Sequence, residues 1–287
     1  MQGNGYFLKI TAEQGSVLTR LHYPTVSSIP SLPIKQRKVG KGAIVAMVRG
    51  TGTDQIAAVL EKIPESVRKK VQEVTLDMAA SMKSAVRRTF PNARQVVDRF
   101  HVQQLAFDAV QELRIKYRWD ALEAESKAIE TARANKVSYQ PEILYNGDTE
   151  KQLLARSRYL LFKPESGWKE SQHIRGQILF ARYPVLKQAY DLARKLGDIF
   201  NKCKTKEAAF KKLALWYNEV EASGIDSFGR VARSVQAHYI EILNFFENRS
   251  TNASAESFNA KIKAFRSVFR GVREIPFFLY RLSKLYA

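Results

Sequence analysis

Residues 43–101 alternate short apolar runs with amphipathic stretches, and two of those runs close on an aspartate. Ala43-Ile44-Val45-Ala46-Met47-Val48 is a continuous apolar run of strand length. Gly50 and Gly52 punctuate it, after which Ile56, Val59, Leu60 and Ile63 recur at helical spacing until Pro64 closes the segment. Residues 71–76 read as a second strand ending at Asp77. A helix is predicted from Met78 to about Thr89, with Met82, Val86 and Phe90 on one face. Pro91-Asn92 makes a turn, and Gln95-Val96-Val97 is a third strand ending at Asp98. Such alternation specifies an α/β layered core, in which residues just past the carboxyl ends of strands face the ligand crevice.

The next stretch is different in kind. Residues 102–248 hold no strand of comparable quality and read as an all-helical block. Leu105, Val110 and Leu113 fall on one helix, and Trp119, Leu122 and Ile129 on or near another. Breaks are expected at 141–148, 164–168, Pro184 and 223–228. A last segment, 249–287, opens with Ser and Asn capping residues and continues as helix to about Ser267. Residues 1–40 have no clean period, and Glu13 is the sole acid before Asp54.

Charge narrows the partners. Forty-seven Lys and Arg against 28 Asp and Glu leave a net +19. An excess of this size favours polyanions through counterion release, although a merely solubilising surface would show it too. The single cysteine, Cys203, excludes a disulfide framework and a multi-cysteine zinc site. No secretory leader and no apolar stretch of membrane-spanning length is visible, so a cytoplasmic, nucleoid-associated location without a membrane partner is expected.

Three acids are candidates for chemistry. Asp77 sits where a helix N-cap would sit, and capping is its structural alternative. Asp98 lies in Val97-Asp98-Arg99-Phe100-His101, where an ion pair with a neighbouring base competes with a functional role; His101 has the same ambiguity. Glu256 falls on a helical stripe with Asn252, Asn259 and Lys263, at steps of four, three and four. A solvated surface helix is the plain alternative for that stripe. Phosphodiester chemistry gives a reason for separate acids to converge: two divalent ions about 3.5–4 Å apart, held by hard oxygen ligands, activate the attacking oxygen and stabilise the leaving one. The tail adds Lys261, Lys263, Arg266, Arg270, Arg273, Arg281 and Lys284 against one later acid, Glu274. Its phenylalanines serve a core, and its bases suit phosphate contacts, which give affinity without sequence discrimination.

The blocks Val74-Thr75-Leu76-Asp77-Met78, Phe90-Pro91-Asn92-Ala93 and Val97-Asp98-Arg99-Phe100-His101-Val102 resemble the central part of DDE-type transposases of bacterial insertion sequences, in the ISL-three group. Residues 252–263, followed by Phe265-Arg266 and Phe269-Arg270-Gly271, resemble that group's closing block. The resemblance covers roughly 41–287. It implies a ribonuclease-H-like core (41–101 and 249–287) interrupted by an all-α insertion (102–248). It implies cutting and joining of double-stranded DNA, at element ends and target, with Mg²⁺ or Mn²⁺ in a two-ion site. Asp77 then corresponds to the second catalytic acid and metal ligand, Glu256 to the third, and Asp98, His101, Asn252 and Asn259 are supporting. Lys261, Lys263, Arg266, Arg270 and Arg273 would contact DNA, and a homodimer stays open as an assembly.

The family's first catalytic Asp, in an Asp-Glu context upstream of the strand at 43–48, has no counterpart here. Truncation or a reading-frame shift accounts for that. With permissible codons, residues 18–40 read one base out of register can encode Asp-Glu-Val-Ala-Leu-Ser-Asn-Gly-Glu, restoring the acid and a glycine turn. The chain is therefore expected to be weak or inactive as a transposase, with a non-catalytic DNA-binding remnant as the alternative. A helical scaffold whose basic surface meets RNA or another acidic partner is the third class. No zinc finger or helix-turn-helix is seen, which points to end recognition in an upstream portion.

Overall fold

The computed structural model describes residues 7–8, 10–11, 46–47, 52–249, 264, 267, 277 and 281. The chain divides into two compact units, Met1–Arg99 with Ile240–Ala287, and Phe100–Tyr239. The protein is of the α/β class, with helix predominating.

In the first unit, β1 (Phe7–Leu8) pairs antiparallel with β3 (Ala46–Met47). A three-stranded sheet is ordered β2 (Ile10–Thr11), β4 (Glu73–Leu76), β5 (Arg94–Val97). β4 and β5 are parallel and in register from Glu73 opposite Arg94 to Leu76 opposite Val97, whereas β2 runs antiparallel to β4. Helices α1 (Thr53–Leu60), α2 (Glu65–Arg68) and α3 (Ala80–Thr89) lie between the strands in sequence. Ile56, Leu60, Val74, Leu76, Met82, Val86 and Phe90 form one buried cluster, which joins the helical stripe at 56–63 to the β4 strand and the α3 face.

Two local expectations shift. Pro64 does not close the first helix, which stops at Leu60; it opens α2 instead, its fixed φ of −51° suiting the residue before a first helical turn. The helix after Asp77 starts two residues later than its apolar pattern suggests, at Ala80, because Asp77 and Met78 form the turn that enters it.

The second unit contains no strand among its described residues. Its elements are α4 (Arg99–Ala134, whose first residue lies in the other unit), α5 (Glu150–Arg156), two 3-10 turns (Leu160–Phe162 and Glu165–Gly167), α6 (Glu170–Arg182), α7 (Pro184–Lys202), α8 (Lys206–Ser223) and α9 (Asp226–Ala237). α7 turns an almost continuous apolar face inward: Leu186, Ala189, Tyr190, Ala193, Leu196 and Phe200 are buried. Trp216 of α8 is buried as well and donates its Nε1–H to the Leu192 carbonyl at 3.0 Å. Pro184 starts α7 at the first helical position, where its missing N–H is no loss. Gly224 ends α8 at φ 62°, a conformation that side-chain-bearing residues rarely adopt. Gly176 is required for a different reason: a Cβ there would overlap the Trp168 ring.

The two helices expected around Val110 and Leu122 are one. α4 runs unbroken for 36 residues, since no Pro or Gly falls within it. Its buried residues end at Arg114, so the change of apolar stripe that suggests a second helix marks where α4 leaves the core.

α10 (Tyr239–Asn248) returns the chain to the first unit; only its first residue belongs to the helical one. Asn244 Nδ2 donates to the Gln95 carbonyl at 3.0 Å, and Asn248 Nδ2 to Glu73 Oε2 at 2.9 Å. Glu241 pairs with Lys83 at 2.5 Å, and Glu247 pairs with Arg94. Among the described residues no helix is long and apolar enough to cross a membrane.

Candidate active site and family

The β4–β5 pairing carries the site. Leu76 and Val97 are partners in a parallel ladder, so the residues that follow them, Asp77 and Asp98, leave adjacent strands at the same edge. Neighbouring strands stand about 4.8 Å apart. The sequence shows two aspartates 21 positions apart; the register makes them neighbours along the carboxyl edge.

Their surroundings differ. Asp77 is half-buried, and its Oδ1 accepts the Ala79 N–H at 3.0 Å. That is an Asp turn leading into α3, whose N-cap position is held by Ala79, so Asp77 does not cap the helix directly. Its other oxygen, Oδ2, has no partner among the described residues. Asp98 is 1% exposed, and its backbone N–H donates to the Leu76 carbonyl at 2.9 Å, continuing the ladder one step past the strand. Its neighbours are packed: Thr75, Leu76, Val96 and Val97 are all buried.

His101 lies in the first turn of α4, half-buried, with its ring edge-on to Phe100 at 6.1 Å between centroids. It falls in the helical unit, Asp77 and Asp98 in the other. Glu256, Asn252, Asn259, Lys261, Lys263, Arg266, Arg270 and Arg273 lie outside the described residues.

The donor set suits a hard cation in kind, since carboxylate oxygens are the ligands that Mg²⁺ and Mn²⁺ select. Among the described residues no group of three or more His, Cys, Asp or Glu side chains is close enough to hold a metal ion. One cavity of about 250 Å³ borders this unit, lined by Arg87, Phe90, Arg94, Gln95, Glu241 and Asn244. Because β5 runs from Arg94 to Val97, that cavity sits at the opposite end of the strand from Asp98.

Sequence reasoning passes over a strongly held acid of the helical unit. Asp148 is buried and receives hydrogen bonds from Arg156, from Arg175 Nε at 2.9 Å and from Asn146 Nδ2 at 2.8 Å. Burial opposes its ionisation, but the hydrogen bonds from Arg175 and Arg156 outweigh that and hold its carboxyl below the ordinary aspartate range. With its oxygens occupied by guanidinium groups it is a structural node. The same unit buries Arg114, which donates from Nε to Gln111 Oε1 at 2.6 Å and from Nη1 to the Leu154 carbonyl at 3.0 Å. Burial lowers its pKa, with Arg158 and Arg118 adding to the effect. Nothing in the spacing of these residues announces them; an Asp in a loop is the commonest of turn residues.

No curated protein and no solved structure matches the chain. A family of transposases does: the DDE transposases of the ISL-three group match residues 31–282, starting upstream of residue 41, where the motif resemblance begins. That match spans most of the chain and includes both aspartates and the block containing Glu256. The protein therefore belongs to the ISL-three group of DDE transposases, enzymes of DNA transposition and recombination.

Proposed function

We propose that this chain carries two of the three acids of a metal-dependent DNA cleavage and strand-transfer site, Asp77 and Glu256, and that it is catalytically impaired because the first acid is missing. The observation that carries the reading is the pair of aspartates at one edge of two parallel strands, where open α/β sheets bind their ligands. A second observation supports it. α10 is tied to Glu73, Lys83, Arg94 and Gln95, so the chain re-enters this unit eight residues before Glu256. Eight residues reach up to about 26 Å when extended. β4 is about 13 Å long, so Glu256 is within reach of its carboxyl end.

The core is read as ribonuclease-H-like, with the helical unit as its insertion. In this reading Asp77 offers its open Oδ2 to a cation while Ala79 N–H fixes the carboxylate's orientation. Asp98 and His101 are supporting groups, and Asn252 and Asn259 flank Glu256. Lys261, Lys263, Arg266, Arg270 and Arg273 neutralise DNA phosphates. Bound Mg²⁺ or Mn²⁺ would supply activation of the attacking oxygen and stabilisation of the leaving one. Two carboxylates cannot hold two ions in place as three can, which is why residual activity is expected to be low. The missing acid equally favours a second reading, a DNA-binding remnant that occupies element ends without cutting them.

The test is strand transfer on element-end DNA with Mg²⁺ or Mn²⁺. Weak or absent product, lost altogether in Asp77→Ala and Glu256→Ala while DNA binding persists, supports the reading. Robust product that survives Asp77→Ala overturns it. DNA affinity that falls steeply with added salt separates phosphate binding from a protein-scaffold role. The gene's nucleotide sequence tests the frame-shift account, which fails if codons 18–40 cannot encode Asp-Glu one base out of register.

A further inference from the structure

Three arginines of the helical unit, Arg114, Arg118 and Arg158, come together without an acid among them. Arg114 is buried, and two bonds fix its guanidinium: Nε donates to Gln111 Oε1 at 2.6 Å and Nη1 to the Leu154 carbonyl at 3.0 Å. Its Nη2 has no hydrogen-bond partner among the described residues. Gln111, also buried, donates from Nε2 to the Arg158 carbonyl at 3.0 Å, which ties the turn after α5 to the same point of α4. Arg118 stands one helical turn beyond Arg114 on the same face. After burial, the charges of Arg158 and Arg118 are what lower the Arg114 pKa, and no carboxylate opposes them.

The acids in this part of the unit are engaged elsewhere. Glu112 is held through both oxygens by Arg230, at 2.5 and 2.6 Å. Glu125 pairs with Lys151 at 2.6 Å, and Glu150 accepts the Tyr183 hydroxyl at 2.6 Å. Arg118 and Arg158 are exposed and enter no ion pair among the described residues. Like charges gathered around a buried, immobilised guanidinium repel one another, and an anion relieves them. Phosphate oxygens match the fork of donors that guanidinium groups present.

Beside the trio lies Tyr159, 68% exposed, with the Arg158 guanidinium 5.3 Å from its ring centroid. An open aromatic ring next to an arginine is a platform for an unpaired base. A free phosphate has no use for such a ring. A duplex keeps its bases stacked on one another and out of the ring's reach.

We propose that Arg114, Arg118, Arg158 and Tyr159 form a binding site for single-stranded DNA. A backbone phosphate meets Nη2 of Arg114 between the two exposed arginines, and the adjoining base stacks on Tyr159. The proposal rests on the reading that this chain acts on DNA, and it gives the helical unit a contact with unpaired nucleotides.

Fluorescence anisotropy tests it, with the full chain titrated in EDTA against a labelled oligo-dT of about twelve nucleotides and against a duplex of the same length. Circular dichroism checks that each variant is folded. The native chain is expected to bind the oligo-dT. Arg118→Gln and Arg158→Gln should each weaken that binding at least about fivefold and each flatten its salt slope by about 0.7. Tyr159→Ala should weaken it about tenfold while duplex affinity is kept, and Tyr159→Phe, which retains the ring, should bind as the native chain does. A native chain that does not bind oligo-dT would overturn the site. So would an arginine variant with native affinity and slope, a Tyr159→Ala chain with native affinity or with an equal loss on duplex, or a Tyr159→Phe chain as weak as Tyr159→Ala. No divalent ion is present, so these outcomes do not depend on Asp77 or Glu256. Duplex binding that persists in every variant separates a failed single-strand site from a failure of the DNA reading itself.

Discussion

Asp77 in the sheet-containing unit and Asp148 in the helical unit are the same side chain put to opposite uses. Asp148 is enclosed and met by two guanidinium groups and an amide; Asp77 is half open and met by one backbone N–H. A buried carboxylate must be paired, since an isolated charge in the interior costs several kcal/mol. An edge carboxylate can keep an oxygen for a cation because water shares the cost of its charge. Asp148 holds a loop to two helices, whereas Asp77 keeps one oxygen at a strand edge. What distinguishes a structural acid from a candidate ligand is therefore the count of donors around it, not the residue or its neighbours in sequence.

Substitutions can break or sharpen that contrast. The largest expected loss comes from Trp216→Ala, which empties a buried indole site and removes its bond to the Leu192 carbonyl. It should cost about 3–5 kcal/mol in urea unfolding of the chain. Asp148→Ala comes next at about 3 kcal/mol, the low end for a broken buried pair because Arg156 remains half in water. Its pH signature is specific. With its folded-state pKa depressed, Asp148 contributes stability that is fully present above its unfolded value, about 3.9, and lost as pH falls through the folded one. Unfolding midpoints of Asp148→Asn should lose part of that acid-side decline; an unchanged profile would mean the two arginines do not set its ionisation. Asn244→Ala, removing the bond to Gln95, is expected to cost about 1 kcal/mol. Asp77→Asn should change stability by less than about 0.5 kcal/mol, because the amide oxygen can still accept from Ala79 N–H. A loss there as large as for Asp148→Ala would make Asp77 a structural residue and remove the basis for its proposed role.

Legibility varied with the range of the interactions involved. The strands at 71–76 and 95–97 and the helix between them stand within a residue or two of their apolar patterns, because each pattern reports one local period against one core. In the helical stretch, the break expected at 223–228 falls where Gly224 takes the left-handed turn. Pattern failed where burial changed along an unbroken helix: Trp119 and Ile129 look like core and lie on the surface. It also failed at Asp148, whose partners come from α5 and α6, eight and 27 positions away.

The order of elements, the excess of positive charge and the aspartates that close two apolar runs were fixed by the sequence, since each is a property of neighbours along the chain. Only the tertiary structure decided that β4 and β5 are parallel and in register, so that two acids 21 positions apart share an edge, and that the distal half of α4 stands clear of the core. Register and burial are settled by segments distant in the chain competing for the same apolar surface, and no local period encodes the outcome of that competition.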